Sequence, residues 1–400
     1  MKIKVKFSRT TGNAESSPQL VASIDDLLTE ILLRLPMKSL IRFKLVSKHW
    51  HSLITNPKFC IFRNPNPNPA IGLFLHCSDF RSNPRIEYVP FSHVENPPFK
   101  KLKFANDPSG IRIVQSCNGL LLCSSSRARD YNRIYYVYNP TTNKYTTLPK
   151  LGNVDGISTR SKIHGMSLAF DPTKSPHYKV VCVRGSLVSG EYHYQFEVYS
   201  SETGPWRKCG EPFTAQVKFG NGVYWNGAIH WISHGRTVEA MYFDTERRML
   251  QTMPMPPIED GWDWWSNYYF GESCDQLHYV EIAGPQIRVN VYEMRRDYSE
   301  WFAKYKVDLA PVVAAYPGMI RNGVHPTDWY YYDISVLSMV RGEKEEGSFL
   351  VLQIAGQVVR YNHVNQDFET IHEFCGAEVE GDSRLINANG YQYIESLWCV

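Results

Sequence analysis

The sequence lacks most of the groupings that announce chemistry. Its nine cysteines (Cys60, Cys77, Cys117, Cys123, Cys182, Cys209, Cys274, Cys375 and Cys399) are odd in number and scattered, with no C-x-x-C pair among them. Neither a zinc site nor a disulfide framework is indicated by that spacing. No GxSxG elbow, P-loop or Gly-rich dinucleotide fingerprint occurs, so no catalytic residue, metal or cofactor is expected. The formal net charge of +3 is too small for a general nucleic-acid binder. No apolar run approaches a bilayer span, and "MKIKVKFSRTTGNAESSPQL" contains no apolar segment of signal-peptide type. These absences lead us to expect a soluble protein of a reducing compartment, cytoplasmic and/or nuclear, with no nucleic-acid or membrane partner.

Aromatic residues, by contrast, are abundant: 14% of the 400-residue chain, with 25 Tyr and 10 Trp. Aromatics favour strands, and they favour interfaces because they bring large contact area at little entropy cost. The chain changes character along its length. Residues 1–22 are polar, 23–61 carry helical periodicity, 62–70 ("FRNPNPNPA") alternate Asn with Pro, and 71–400 read as strands and turns. Alternating Asn-Pro fixes φ and pushes each Asn to an extended conformation, which makes a semi-rigid spacer.

In the helical region, Ile24, Leu27, Leu28, Ile31, Leu32 and Leu35 recur at i, i+3, i+4, i+7, i+8 and i+11. Ser23 followed by Asp26 resembles a capping box, and Asp25, Asp26 and Glu30 place carboxylates near the positive helix end. Pro36 ends this helix. A second starts near Lys38 and carries Leu40, Ile41, Phe43, Leu45 and Val46 nearly all round its axis; a third, "SKHWHSLI", offers Trp50, Leu53 and Ile54. Three short helices cannot bury this much apolar surface among themselves, since units below about 40 residues rarely fold alone. A partner surface is therefore expected.

The remainder repeats a unit: an apolar strand, an aromatic strand ending in a polar turn, then a further strand. Tyr138, Tyr199, Phe243, Tyr292 and Tyr361 hold comparable positions, each followed by Asn, Ser, Asp, Glu or Asn and then turn residues. Five such units are visible, and "IGLFLHC" (71–77) with "YQYIESLWC" (391–399) supply strands for a closing one. The spacing predicts an all-β propeller of about six blades.

"IDDLLTEILLRLPMKSLIRFKLVSKHWHSLIT" resembles an F-box in its plant version, with two departures: Ile24 where proline is usual and Ser47 where cysteine is common. "SCNGLLLCSS", "YVYNPTTNKYTTLP", "SLAFDPTKSPHYKVVCV", "FEVYSSETGPWR" and "GVYWNGAIHWIS" are similar to F-box-associated, kelch-like domains of plant F-box proteins. The resemblance implies a small three-helix F-box followed by the propeller. It also implies a non-catalytic substrate receptor of an SCF-type ubiquitin ligase, bound to a Skp-type adaptor and through it to a cullin and a RING subunit. Helix-in-groove docking would then use Leu27, Leu28, Ile31, Leu32, Leu35, Pro36, Leu40 and Val46, and the propeller would hold a protein substrate. Three alternatives are a non-degradative adaptor that binds the Skp protein without a cullin, a glycan-binding propeller, and a propeller enzyme.

Two aromatic segments are candidate substrate anchors: "DGWDWWSNYYF" (260–270), with Trp262, Trp264, Trp265 and Tyr268, and "HPTDWYYYDIS" (325–335), with Trp329. Equally, these residues start the next strands and pack between blades. His230 and His234 stand four apart, but on a strand that spacing spans about 13 Å, not a zinc-ligand distance. Cys117 and Cys123 bracket a strand and read as core. Asn226-Gly227 reads as a two-residue hairpin turn.

Overall fold

A computed structural model describes residues 24–63, 70–78, 85–92, 104–105, 107–126, 133–152, 162–233, 239–257, 268–283, 287–328, 331–374 and 387–400. The chain divides into two compact units, Met1–Arg63 and Asn64–Val400. The expected N-terminal segment 1–22, Ser23 and spacer residues 64–69 lie outside the described residues. Among the described residues, no helix is long and apolar enough to cross a membrane.

Among the described residues, unit one contains four helices: α1 (Asp25–Leu33), α2 (Met37–Phe43), α3 (Lys48–Thr55) and α4 (Pro57–Arg63). The N-cap of α1 is Ile24, with extended dihedrals and no side-chain cap bond. Pro36 ends the first helical stretch and serves as N-cap of α2. Ser47 caps α3 by accepting the Trp50 N–H at 3.1 Å. The sequence led to three helices, and α4 is a fourth, taking in Phe62 and Arg63 that had been given to the spacer. The cause is local. Asn56 ends α3 with extended dihedrals, its Oδ1 accepts the Lys58 N–H at 2.9 Å, and Pro57 takes the first helical position, where a missing N–H costs nothing. Leu28, Leu32, Met37, Leu40, Ile54, Phe59 and Cys60 form the buried interior. Trp50 packs edge-on to Phe43 with centroids 5.1 Å apart, joining α3 to α2.

Unit two starts with β1 (Gly72–Ser78) and β2 (Arg85–Pro90), followed by five antiparallel four-stranded sheets. Blade 1 comprises β3 (Ile111–Cys117), β4 (Leu120–Ser125), β5 (Tyr135–Asn139) and β6 (Lys144–Thr147). Blade 2 comprises β7 (Lys162–Ala169), β8 (Lys179–Val188), β9 (Glu191–Ser200) and β10 (Arg207–Phe213). Blade 3 comprises β11 (Val223–Trp225), β12 (Ala228–Ser233), β13 (Glu239–Asp244) and β14 (Met249–Thr252). Blade 4 comprises β15 (Tyr268–Ser273), β16 (Gln276–Ala283), β17 (Arg288–Met294) and β18 (Trp301–Asp308). After a short helix, α5 (Ala310–Ala315), blade 5 comprises β19 (Ile334–Val340), β20 (Phe349–Ile354), β21 (Gln357–Tyr361) and β22 (Phe368–Glu373).

The last strand, β23 (Asn387–Tyr393), returns to pair with β1, from Gly72 opposite Tyr393 to Ser78 opposite Asn387. Blade 6 thus has the order β2-β1-β23 and joins both ends of the unit. The innermost strands of successive blades, β3, β7, β11, β15, β19 and β23, neighbour one another around a closed ring. This is the six-bladed propeller that the repeat predicts. Middle strands have neighbours on both faces, so β4 ("LLLCSS") and β5 ("YYVYN") are buried at every position, whereas outer strands such as β6 ("KYTT") and β14 ("MLQT") keep exposed side chains.

The repeated aromatic has a defined place. Tyr138, Tyr199, Phe243, Tyr292 and Tyr361 all sit on the third strand of their blades and are buried. The polar residue after each of them closes the outer turn in blades 1, 3 and 5. Asn139 Oδ1 accepts the N–H groups of Thr141 and Thr142 at 2.9 and 3.2 Å, and Asp244 Oδ1 accepts those of Glu246 and Arg247 at 2.9 and 2.8 Å. Asn362 does the same for Val364 and Asn365 at 2.9 and 3.1 Å. Such side chains substitute for a backbone turn bond, which is why short Asx residues recur there. Asn226-Gly227 forms the expected hairpin turn, both residues at positive φ (49° and 83°).

Candidate functional site

The apolar residues of α1 divide into two adjacent ridges. Leu28 and Leu32, 3% and 0% exposed, turn into the interior with Leu40 (0%). Leu27 and Ile31, each 48% exposed, share a stripe of α1 with the exposed Ile24; in the α2–α3 turn, Val46 is 59% exposed and Leu45 still more so. Of the other residues expected to dock a partner, Leu35 is half-buried and Pro36 exposed. The Leu35 carbonyl accepts Arg63 Nη2 at 3.1 Å, so α4 braces the end of α1. His49 Nε2 lies 3.2 Å from Asp25 Oδ1, which links the start of α3 to that of α1. Periodicity alone gave one stripe; the structure splits it into a finished interior and an apolar face left to solvent.

In the propeller, Trp262, Trp264, Trp265 and Trp329 lie outside the described residues, as do His234 and Cys375. Tyr268 opens β15, its ring partly exposed and stacked on Tyr279 with centroids 5.5 Å apart. His230 is wholly buried: Nδ1 lies 3.2 Å from the Val223 carbonyl and Nε2 2.9 Å from the Tyr298 hydroxyl. Burial pushes its pKa down to about 3, so it is a neutral core group. Cys117 and Cys123 are buried, and burial raises both thiols, the opposite of what a nucleophile needs.

Two ionisable arrangements escaped the sequence reading because their partners come from different blades. Glu293 of blade 4 accepts Arg341 Nη1 of blade 5 at 2.5 Å and lies 3.2 Å from His278 Nε2. Burial works against its charge, but the His278 bond and the charges of His278, Arg341 and Lys304 hold its carboxyl below the usual value. Glu272, on the first strand of blade 4, shows the reverse. Burial, aided by the nearby Asp171 carboxylate, raises it to about 8, with the Asp275 N–H its hydrogen-bond donor at 2.6 Å. Among the described residues, no group of three or more His, Cys, Asp or Glu is placed to hold a metal ion.

Short helices with exposed apolar residues on α1, followed by a six-bladed propeller, define a two-part protein of helical unit and propeller. Comparison with known proteins gives the class. Residues 25–62 match the F-box domain model, and residues 80–266 match the model of the F-box associated beta propeller domain. The F-box protein At5g07610 of Arabidopsis thaliana is 37% identical over 392 residues, covering 92% of this chain and 89% of the relative. A second Arabidopsis thaliana F-box protein, At5g49610, is 27% identical over 321 residues, covering 74% of this chain and 81% of the relative. The F-box/kelch-repeat protein At3g17530 of the same plant is 25% identical over 250 residues, covering 58% of this chain and 60% of the relative. The chain belongs to the family of plant F-box proteins that carry an F-box-associated β-propeller.

Proposed function

We propose that this protein is the substrate-receptor subunit of an SCF-type ubiquitin ligase, working in the cytoplasm and/or nucleus. The F-box docks on a Skp-type adaptor, which connects it to a cullin and a RING subunit, while the propeller holds a protein substrate. The observation that carries this reading is the outward ridge of Leu27 and Ile31 on α1, apolar and each 48% exposed while Leu28 and Leu32 beside them are buried. Burying such side chains is worth about 1.5–3 kcal/mol each, so a partner groove gains what water does not offer.

In this reading the chain supplies no acid, base or nucleophile. It raises the effective concentration of substrate lysines near the charged ubiquitin-conjugating enzyme, which is catalysis by proximity. Tyr268 at the start of β15, together with Trp262, Trp264, Trp265 and Trp329, which lie outside the described residues, would meet substrate in this reading, as recognition residues carried on a rigid scaffold commonly do.

Co-purification tests it. The full chain, tagged and isolated from plant cells, should bring down the Skp-type adaptor and the cullin in stoichiometric amounts. Capture of neither contradicts the proposal. Capture of the adaptor without the cullin moves the chain to the non-degradative class.

A further inference from the structure

The C-terminal residues do far more than complete blade 6. On the inner strand β23, Gln392 Nε2 donates to Ser338 Oγ and the Met339 carbonyl of blade 5 at 2.9 and 3.0 Å and lies 3.4 Å from the Tyr269 hydroxyl of blade 4. The Gln392 carbonyl accepts the Ser116 hydroxyl of blade 1, and the Tyr393 hydroxyl lies 3.0 Å from Thr141 Oγ1 of the same blade. Beyond β23 the chain crosses blade 1 as an irregular strap. Asn139 Nδ2 donates to the carbonyls of Ser396 (3.0 Å) and Trp398 (2.7 Å), and Thr141 Oγ1 accepts the Ser396 N–H at 3.0 Å. Gly119, at φ +86°, makes room for the crossing: a Cβ there would lie 2.5 Å from Ser396 Cβ and 2.9 Å from the Ile394 carbonyl. Trp398 finally packs edge-on to Phe170 of blade 2, centroids 6.0 Å apart. Ser396, Leu397 and Trp398 are all buried.

These bonds are not ordinary turn closure. Asn139 already satisfies its own turn through Oδ1, as Asp244 and Asn362 do in theirs, but it is wholly buried and directs its amide N–H groups at the strap. Without residues 396–398, both of those donors lose their acceptors inside the protein, and an unpaired buried amide is costly. The twelve residues 387–398 therefore touch or form five of the six blades.

We propose that the crossing segment 394–398 is a strap that holds the junction between blade 6 and blade 1 shut; without it that junction opens while the opposite side of the ring stays paired. Residues 387–398 are the last part of the ring in chain order. Blades 1 to 5 can therefore be complete while blade 6 still lacks its inner strand, so ring closure waits for these residues.

Hydrogen exchange tests the proposal on three full-length or shortened chains: the chain ended after Ile394, Asn139→Ala, and Asn362→Ala as a control that removes an equivalent turn acceptor in blade 5. In the first two, amides of β1, β3 and β5 should exchange about tenfold faster or more, as loss of two buried hydrogen bonds implies. Amides of β12 and β13 in blade 3 should keep their rates, and Asn362→Ala should leave β1 and β3 unchanged. If the shortened chain fails to fold, Asn139→Ala alone carries the test. Unchanged exchange at β1 and β3 overturns the proposal, and so does an equal acceleration in blade 3.

Discussion

Leu27 and Leu28 are neighbours in sequence and opposites in environment: Leu28 is 3% exposed and Leu27 48%. One peptide step on α1 separates a residue buried in the interior of the helical unit from one that leaves 48% of its surface exposed. Leu28→Ala should destabilise that unit by about 2–5 kcal/mol, the range for truncating a buried leucine. Leu27→Ala should change it by less than about 0.5 kcal/mol. Thermal melts of the two variants, followed by helical circular dichroism, check the difference.

The pair Glu293 and Arg341 joins blades 4 and 5, and its effect depends on pH. A carboxyl held below its unfolded value contributes stability that is present above that value and is lost as pH falls through the folded one. The contribution should therefore fade below about pH 4.5, the region of an ordinary glutamate. Arg341→Met at neutral pH leaves Glu293 buried with His278 as its remaining close partner, and should cost about 3 kcal/mol. Denaturant midpoints of wild type and variant should lie closer together at pH 4 than at pH 7, because the contribution shrinks as pH falls towards the lowered folded value.

Glu272 has the opposite sign. With its folded pKa raised to about 8, the stability linked to its proton is present below pH 4.5 and is lost as pH rises towards 8. Glu272→Gln keeps an oxygen for the Asp275 N–H and removes the buried charge. At pH 8.5 the variant should be more stable than wild type by about 2 kcal/mol, with the gap closing at pH 5. A gap of the same size at both pH values would contradict this environment for Glu272.

Gly227 isolates a purely conformational cost. Its φ is +83°, and a Cβ would meet nothing within 4 Å. Gly227→Ala should therefore destabilise by about 1–2 kcal/mol through backbone strain alone, without repacking. Equilibrium unfolding of this variant, with the blade 3 tryptophans Trp225 and Trp231 as fluorescent reporters, measures it directly.

The fold was largely legible because each blade repeats a chemical requirement. An aromatic on the third strand needs neighbours on both faces, and in blades 1, 3 and 5 the next residue, Asn139, Asp244 or Asn362, closes a turn with its own side chain. Closure was legible too, since the apolar runs at 71–77 and 391–399 fell outside the five repeated units. Helix α4 was hidden by Asn56-Pro57, a pair that reads as a break yet here caps and starts a helix. The division of α1 into inner and outer ridges was also hidden, since periodicity fixes which residues share a stripe but not what covers it. Glu272 and Glu293 were invisible for a different reason: a charged neighbour of each, Asp171 and Arg341, lies tens of residues away on another blade.

The central claim rests on the outward ridge of α1. Binding of the purified Skp-type adaptor to the full chain should be measured for wild type and for Leu27→Asp combined with Ile31→Asp, with thermal melts recorded on the same samples. The account predicts that the double variant melts like wild type and binds at least about a hundredfold more weakly, as two charges in an apolar groove imply. Wild-type affinity in a folded double variant would contradict it.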